Sequence, residues 1–281
     1  MGREHSGSKR GELILASDGQ VAIPVGPWAK EKLFYIERYC HIFNQAMRGK
    51  WPTRVYIDLF AGPGRCVVQG TGEEINGSPL VALKCEVPFS HYFFNDLDAT
   101  TIAALEKRAV ALAVAEVRFF NQDCNQVVGD LLRELDKLPR QPLVFCFIDP
   151  FNWEIEFASI ATLAQGRRMD LAITFHTGSI KRWAHRPPAK LDTFFPDAGW
   201  RQGFAAKRAE GDRALGAYLL NYYKQGLRGL GYNDIQERVS VKQTKGVPLY
   251  HLIFASKHPR GREFWDKISQ RKATGQMRLA L

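Results

Sequence analysis

The sequence predicts a doubly wound, Rossmann-like α/β fold: a mostly parallel seven-stranded sheet, helices on both faces, and an antiparallel strand pair at its carboxyl-terminal end. Three observations carry this prediction. Short apolar runs alternate with helix-period segments through residues 54–177, the pattern of successive strand–helix–strand units. The run PLVFCFIDP is almost continuously apolar, as a central parallel strand buried on both faces must be. The alternation then stops, and DIQERVSVKQTKGVPLYHLIFASK reads as two strands joined by a turn near Thr244-Lys245-Gly246.

The elements follow in order. ELILASDGQVAIPVG places two apolar runs around Asp18-Gly19, a hairpin-type turn pair. In WAKEKLFYIERYCHIFNQAMRG, Leu33, Ile36, Cys40, Phe43 and Met47 recur at helical spacing and make one buried stripe. Gly49 and Pro52 close that helix. RVYIDLF is the first strand of the main sheet, and Ser78-Pro79 opens a helix with serine as N-cap and proline at the first helical position. SHYFFND is the second strand, followed by a helix over ATTIAALEKRAVALA capped by Asp98. VRFFNQD is the third strand and NQVVGDLLRELDKL the next helix. PLVFCFIDP and MDLAITFHT supply strands four and five, and DRALGAYLLNYYKQGL a further helix. Residues 1–27 are expected to form a leader and hairpin, and residues 28–281 a single domain with a basic segment at about 178–232 elaborating the substrate side. Dinucleotide-binding Rossmann domains do not usually finish in an antiparallel pair, whereas class I methyltransferase domains do.

Composition narrows the partners. No apolar stretch approaches the length that spans a bilayer, so no membrane partner is expected. The amino-terminal MGREHSGSKR has no apolar core behind it and does not read as a secretory signal. The five cysteines, Cys40, Cys66, Cys85, Cys124 and Cys146, form no C-x-x-C pair, which argues against a zinc site or a disulfide framework and for reduced thiols in a cytoplasm. His176 and His185 lack metal-ligand spacing, so no metal is assigned. Residues 1–165 hold 17 Lys and Arg against 20 Asp and Glu, while residues 166–281 hold 22 against 9. A polyanion would exploit that asymmetry, because neutralising phosphates releases counterions; solvated lysines are the plainer alternative.

In an open α/β sheet, ligands bind beyond the carboxyl ends of the strands. Here those ends carry Asp58 with Phe60-Ala61-Gly62-Pro63-Gly64, then Asn95-Asp96, Asp123 beside Cys124, and Asp149-Pro150-Phe151. Glycines at 62 and 64 let backbone approach a bulky ligand and tolerate positive φ. Asp96 is expected to accept ribose hydroxyls, and Asp123 an exocyclic adenine amine. Such carboxylates would repel a pyrophosphate, and the chain has neither a G-x-G-x-x-G run nor a phosphate-loop lysine motif. S-adenosyl-L-methionine, with ribose, adenine, an ammonium and a sulfonium but no phosphate, suits the set. Each aspartate taken singly is as readily a turn former or helix cap.

IDLFAGPG, followed by GSPLVAL, FFNDLD, FIDPF and YHLIFASKHPRG, resembles the three-Cys-motif partner family, whose members are encoded beside radical-SAM-like proteins that carry a three-cysteine motif. The match runs from the WAKEK segment at Trp28–Lys32 to Trp265. The family looks like a branch of the class I methyltransferases. The resemblance implies that Asp58, Gly62 and Gly64 form the cofactor corner, with Asp96 on the ribose, and that a radical-SAM-like protein is a partner. It informs the cofactor better than the substrate. Two features depart from the family: a long insertion after Gly64, RCVVQGTGEEING, expected to lie over cofactor or substrate, and Asn152 where many members have glycine.

Asp149-Pro150-Phe151 resembles the (D/N/S)-P-P-(Y/F/W) tetrapeptide of amino methyltransferases acting on nucleobases. There the polar side chain and a prolyl carbonyl accept from the target amine and an aromatic ring stacks on the base. The second proline is missing here, Phe151 stands one place early, and Trp153 is an alternative stacking face. The plainer role for Asp149 is contact with the cofactor's methyl region alone. After strand five, Lys181, Arg182, His185, Arg186 and Lys190 surround Trp183, an arrangement suited to a phosphate backbone and an unpaired base. Its bland counterpart is a solvated loop whose tryptophan packs on the core. A nucleophilic cysteine is not expected: Pro150 is followed by Phe151, Cys146 lies in an apolar strand, and only Arg65 beside Cys66 would activate that thiol.

The expected activity is SAM-dependent methylation of a nucleobase nitrogen in DNA or RNA. A non-catalytic SAM-fold accessory or nucleic-acid-binding partner of a radical-SAM-like protein is the alternative, and small-molecule methylation a third reading.

Overall fold

The computed structural model describes residues 12–112, 116–139, 141–179, 188–242 and 248–270. The amino-terminal leader before residue 12, the basic run Lys181, Arg182, Trp183, His185 and Arg186, and the turn at Thr244-Lys245-Gly246 lie outside the described residues.

The main sheet holds seven strands. They are β3 (Arg54–Asp58), β6 (His91–Asn95), β7 (Glu116–Phe120), β8 (Leu143–Ile148), β9 (Arg168–Phe175), β10 (Asp234–Lys242) and β11 (Pro248–Ser256), in the order β10-β11-β9-β8-β3-β6-β7. Five run parallel, from β9 through β8 and β3 to β6 and β7. The last strand, β11, inserts antiparallel between β9 and β10. This is the Rossmann-like, class I methyltransferase arrangement that the closing strand pair predicts. The chain reverses its winding at β3, which has β6 on one side and β8 on the other. The crevice for a ligand therefore opens beyond Asp58 and Asp149.

Period-two alternation on these strands divides the core into two layers. Val55, Ile57, Val144, Cys146 and Ile148 face α4 (Val128–Asp136), α5 (Phe157–Ala164) and α8 (Asp212–Gly229). Tyr56, Phe145, Phe147 and Phe254 face α1 (Ala29–Met47), α2 (Ser78–Leu83), α3 (Ala99–Val110) and α9 (Pro259–Ser269). The second layer is rich in rings. Tyr39 contacts Phe145 and Phe254 at centroid distances of 4.6 and 4.7 Å, and Trp265 stacks on Phe254 at 4.7 Å. The predicted α1 stripe, Leu33 to Met47, is buried throughout. Two short helices, α6 (Leu191–Phe194) and α7 (Trp200–Ala209), complete the first layer's flank. Neither α5 nor α7 is anticipated from sequence, because each is short and α5 is nearly all apolar.

One cap differs from expectation. Gly77, not Ser78, caps α2, and its N–H donates to the Gly64 carbonyl at 2.7 Å. Ser78 lies inside the helix with its hydroxyl on Asp58. The buried carboxylate claims the hydroxyl that would otherwise cap.

The long insertion after Gly64 is a hairpin, β4 (Arg65–Val68) and β5 (Glu74–Asn76). It joins the amino-terminal hairpin, β1 (Ile14–Leu15) and β2 (Val21–Val25), in a second, four-stranded sheet, through parallel pairing of Ile23 with Cys66. Arg108 of α3 fastens this sheet to the main one. Its guanidinium donates to both Asp18 oxygens at 2.7 Å, to the Val21 carbonyl at 2.8 Å and to the Pro63 carbonyl at 2.6 Å. That bidentate contact holds the Asp18 carboxyl down at about 2.

Candidate functional site

The first strand leads into the turn that frames the site. Gly62 and Gly64 have φ of 60° and 79°, values that side chains with a Cβ rarely adopt. A Cβ at Gly62 would also lie 2.9 Å from Ile23, and one at Gly64 would lie 2.8 Å from Leu105. Glycine is thus required by backbone conformation, and β2 and α3 pack closely on the corner.

A cavity of about 660 Å³ opens there. It is lined by Phe60, Ala61, Gly62, Pro63 and Gly64, by Asp149, Pro150 and Phe151, and by His176, Ser179 and Tyr250. Ile23, Pro24 and Val25 of β2, with Trp28 and Lys32, also line it. The insertion contributes Cys66. A second cavity of about 190 Å³ lies beside it, lined by Asn95, Gln122, Asp123, Cys124 and Glu154. Phe60 and Phe151 line both.

The structure therefore brings together Phe60, Ala61, Gly62, Gly64, Asp149, Pro150 and Phe151 in one cavity, and Asp123 and Cys124 in its neighbour. Asp58 and Asp96 line neither. Asp96 accepts from the Gly62 N–H at 2.9 Å through Oδ2 and from the Asp98 N–H at 2.9 Å through Oδ1, so it braces the glycine corner. Asp123 Oδ1 accepts from the Asn125 N–H at 2.8 Å. Asn95 bridges strand ends, donating to the Leu59 and Gln122 carbonyls at 3.2 and 3.1 Å.

Asp58 is fully buried. Burial pushes its carboxyl up to about 7, against the opposing pull of the Ser78 hydroxyl and the Phe60 N–H; nearby Asp149 raises it further. An unfolded carboxyl titrates near 3.8, so between about pH 4 and pH 7 the folded state keeps a proton that the unfolded state sheds. Stability is then lost as pH rises through that window. Asp58→Asn is expected to remove this loss, so that the variant gains on the order of 4 kcal/mol relative to wild type between pH 4 and pH 8. Urea unfolding of both proteins at those two pH values measures it, and parallel curves would contradict it.

Asp149 behaves oppositely. Burial works against its charge, but the Lys32 ammonium, hydrogen-bonded to Oδ2, outweighs burial and holds the carboxyl below its ordinary value, with His176 and the Thr174 hydroxyl assisting. His176 Nε2 lies 2.6 Å from the Pro150 carbonyl. Sequence alone does not mark Lys32 or His176 as site residues: α1 and the end of β9 meet Asp149 only through the fold. Phe151 is 37% exposed and lines both cavities. Trp153 is 7% exposed and packs in the core, so it is not an alternative stacking face. Asn152 is held by the Ser179 hydroxyl at 2.8 Å. Burial pushes the Cys66 thiol up to about 11 and the Cys124 thiol to about 12, so Arg65 does not activate Cys66, and Cys146 is packing. Among the described residues no group of His, Cys, Asp or Glu is arranged to hold a metal, and no helix is long and apolar enough to cross a membrane.

No protein-family model matches the sequence, and no curated protein matches it. Among solved structures, the chain is similar to Trm1 from Pyrococcus horikoshii in complex with S-adenosyl-L-methionine, at 12% identity and a TM-score of 0.47 over 92% of this chain and 62% of that one. It thus spans less than two thirds of the Trm1 chain. It is similar to protein LPL1258 from Legionella pneumophila strain Philadelphia 1, at 10% identity and a TM-score of 0.51 over 86% of this chain and 92% of that one. It is also similar to TYW2 from M. jannaschii in complex with AdoMet, at 11% identity and a TM-score of 0.43 over 90% and 87% of the two chains. At these identities the likeness is one of fold.

Proposed function

We propose that this protein is an S-adenosyl-L-methionine-dependent methyltransferase acting on a nucleobase nitrogen in DNA or RNA. The observation that carries the reading is the meeting of Asp149, Pro150 and Phe151 with the Gly62–Gly64 corner around one cavity at the sheet's switch point. Paired cavities suit a ligand with an amino-acid arm and a nucleoside. The glycine corner offers bare backbone to the arm, and Asp123 and Cys124 with Asn95 would receive the base. The donor set has carboxylates for hydroxyl and amino groups, and Asp58 and Asp96 hold the corner's shape from behind. When bound, the cofactor would supply a methyl group from its sulfonium to a nitrogen lone pair, leaving as the neutral thioether while the nitrogen's proton passes to solvent. Asp149 would accept the acceptor's N–H and aim its lone pair, while Phe151 stacks on its ring. Positioning of this kind supplies most of the rate in an in-line displacement. Lys181, Arg182, Trp183 and Arg186, next in sequence after the cavity residue Ser179, would track the nucleic-acid strand.

A second reading keeps the fold without catalysis, as an accessory module of a radical-SAM-like, three-cysteine-motif protein. One observation favours it: Asp149 Oδ2 already has Lys32 as its partner. Titration calorimetry with S-adenosyl-L-methionine and its demethylated product, followed by label transfer to RNA and DNA pools, separates the readings. Binding with transfer to either pool supports the enzyme. Binding without transfer favours the accessory, and absence of binding refutes both.

A further inference from the structure

Asp149 does not act alone in the cavity wall. Lys32 and Asp149 keep only 14% and 23% of their side-chain exposure. The Lys32 ammonium also lies 5.5 Å from the Tyr250 ring centre. The Tyr250 hydroxyl donates to the Trp28 carbonyl at 3.2 Å, which ties β11 to the start of α1. The other titratable groups facing the pair come from three further elements: His176 from the end of β9, Asp58 from β3 and Cys66 from β4.

A carboxyl that aims an acceptor nitrogen must stay ionised. If protonated, it would offer an O–H to the very lone pair that has to attack. Burial favours that neutral form, so a compensating cation is required. The same cation penalises a second positive charge beside it, because like charges in a half-buried site repel strongly. An exocyclic amine, neutral near pH 7, meets no such repulsion, whereas an alkylammonium does.

We propose that Lys32 is a positioning residue that acts through Asp149: its ammonium fixes the carboxylate through Oδ2, keeps it ionised to receive an incoming N–H, and selects neutral amines over alkylammonium acceptors. The acceptor selection rests on the enzymatic reading above; the coupling of Lys32 to Asp149 does not.

The test uses the full chain carrying Lys32→Gln or Lys32→Arg. The Asp149 carboxyl is followed by carbon-13 NMR titration and assigned by its disappearance in Asp149→Asn. Its midpoint is expected to rise by at least about one pH unit in Lys32→Gln and to return in Lys32→Arg. In parallel, single-turnover transfer is compared between an adenine- and cytosine-containing oligonucleotide and a lysine-containing peptide. Wild type is expected to favour the oligonucleotide by at least about tenfold, and Lys32→Gln to narrow that ratio. An unmoved midpoint overturns the proposal whether or not transfer occurs. Equal transfer to both acceptors by wild type overturns the selection. A moved midpoint with no transfer to any acceptor upholds the coupling and overturns both the selection and the enzymatic reading.

Discussion

Asp149→Asn is expected to lower methyl transfer on the order of 10²–10³-fold, a loss typical of removing one preorganised polar group from a reacting centre. Binding of the demethylated cofactor is expected to stay within about threefold of wild type, because the glycine corner and the second cavity are untouched. The amide keeps the shape of the carboxylate but not its charge, so Lys32 retains a hydrogen-bond acceptor. Asp149→Ala is the harsher change: it strands a half-buried ammonium in the cavity wall, and a loss of stability accompanies the loss of rate. Comparing turnover with calorimetry in both variants separates the two effects. Turnover by Asp149→Asn within tenfold of wild type would remove Asp149 from the reacting centre.

Arg108→Met is expected to destabilise the fold by about 2–3 kcal/mol. The guanidinium side chain is 6% exposed and joins Asp18, β2 and the Pro63 carbonyl in one bidentate cluster. Removing it leaves two backbone carbonyls without their donor. Asp18 itself is 36% exposed and can rehydrate, which keeps the cost below that of a fully buried pair. Because Arg108 holds Asp18 at about 2, that pair's contribution is present above about pH 4 and fades as pH falls toward 2. The difference between wild type and Arg108→Met should therefore shrink at acid pH. Denaturant unfolding at pH 7 and at pH 2.5 tests both the size and the trend. Ligand affinity should weaken too, since β2 supplies Ile23, Pro24 and Val25 to the cavity.

The five parallel strands and the antiparallel ending follow directly from apolar runs and their interruption, because both are local patterns. The glycine corner and the Asp149-Pro150-Phe151 turn follow for the same reason: each is a contiguous string at a strand's end. What escapes a linear reading is contact made across the fold. The hairpin after Gly64 pairs with β2, and no local feature of RCVVQGTGEEING announces that partner. Lys32 reaches Asp149 from a helix whose buried stripe alone is visible in its periodicity. Ser78 has the composition of an N-cap, yet a buried carboxylate elsewhere takes its hydroxyl. Trp153 and Phe151 are two residues apart, and only packing decides which ring meets the cavity.

The pairing of Ile23 with Cys66 governs when the chamber can exist during synthesis. A two-stranded hairpin alone is marginal in water, so the β1–β2 hairpin has to wait for its neighbour until α1, β3 and the glycine corner have emerged. Arg108 arrives later still, and Tyr250 after it. A nascent chain stalled before Tyr250 would thus carry the corner but lack one wall of the vessel around it.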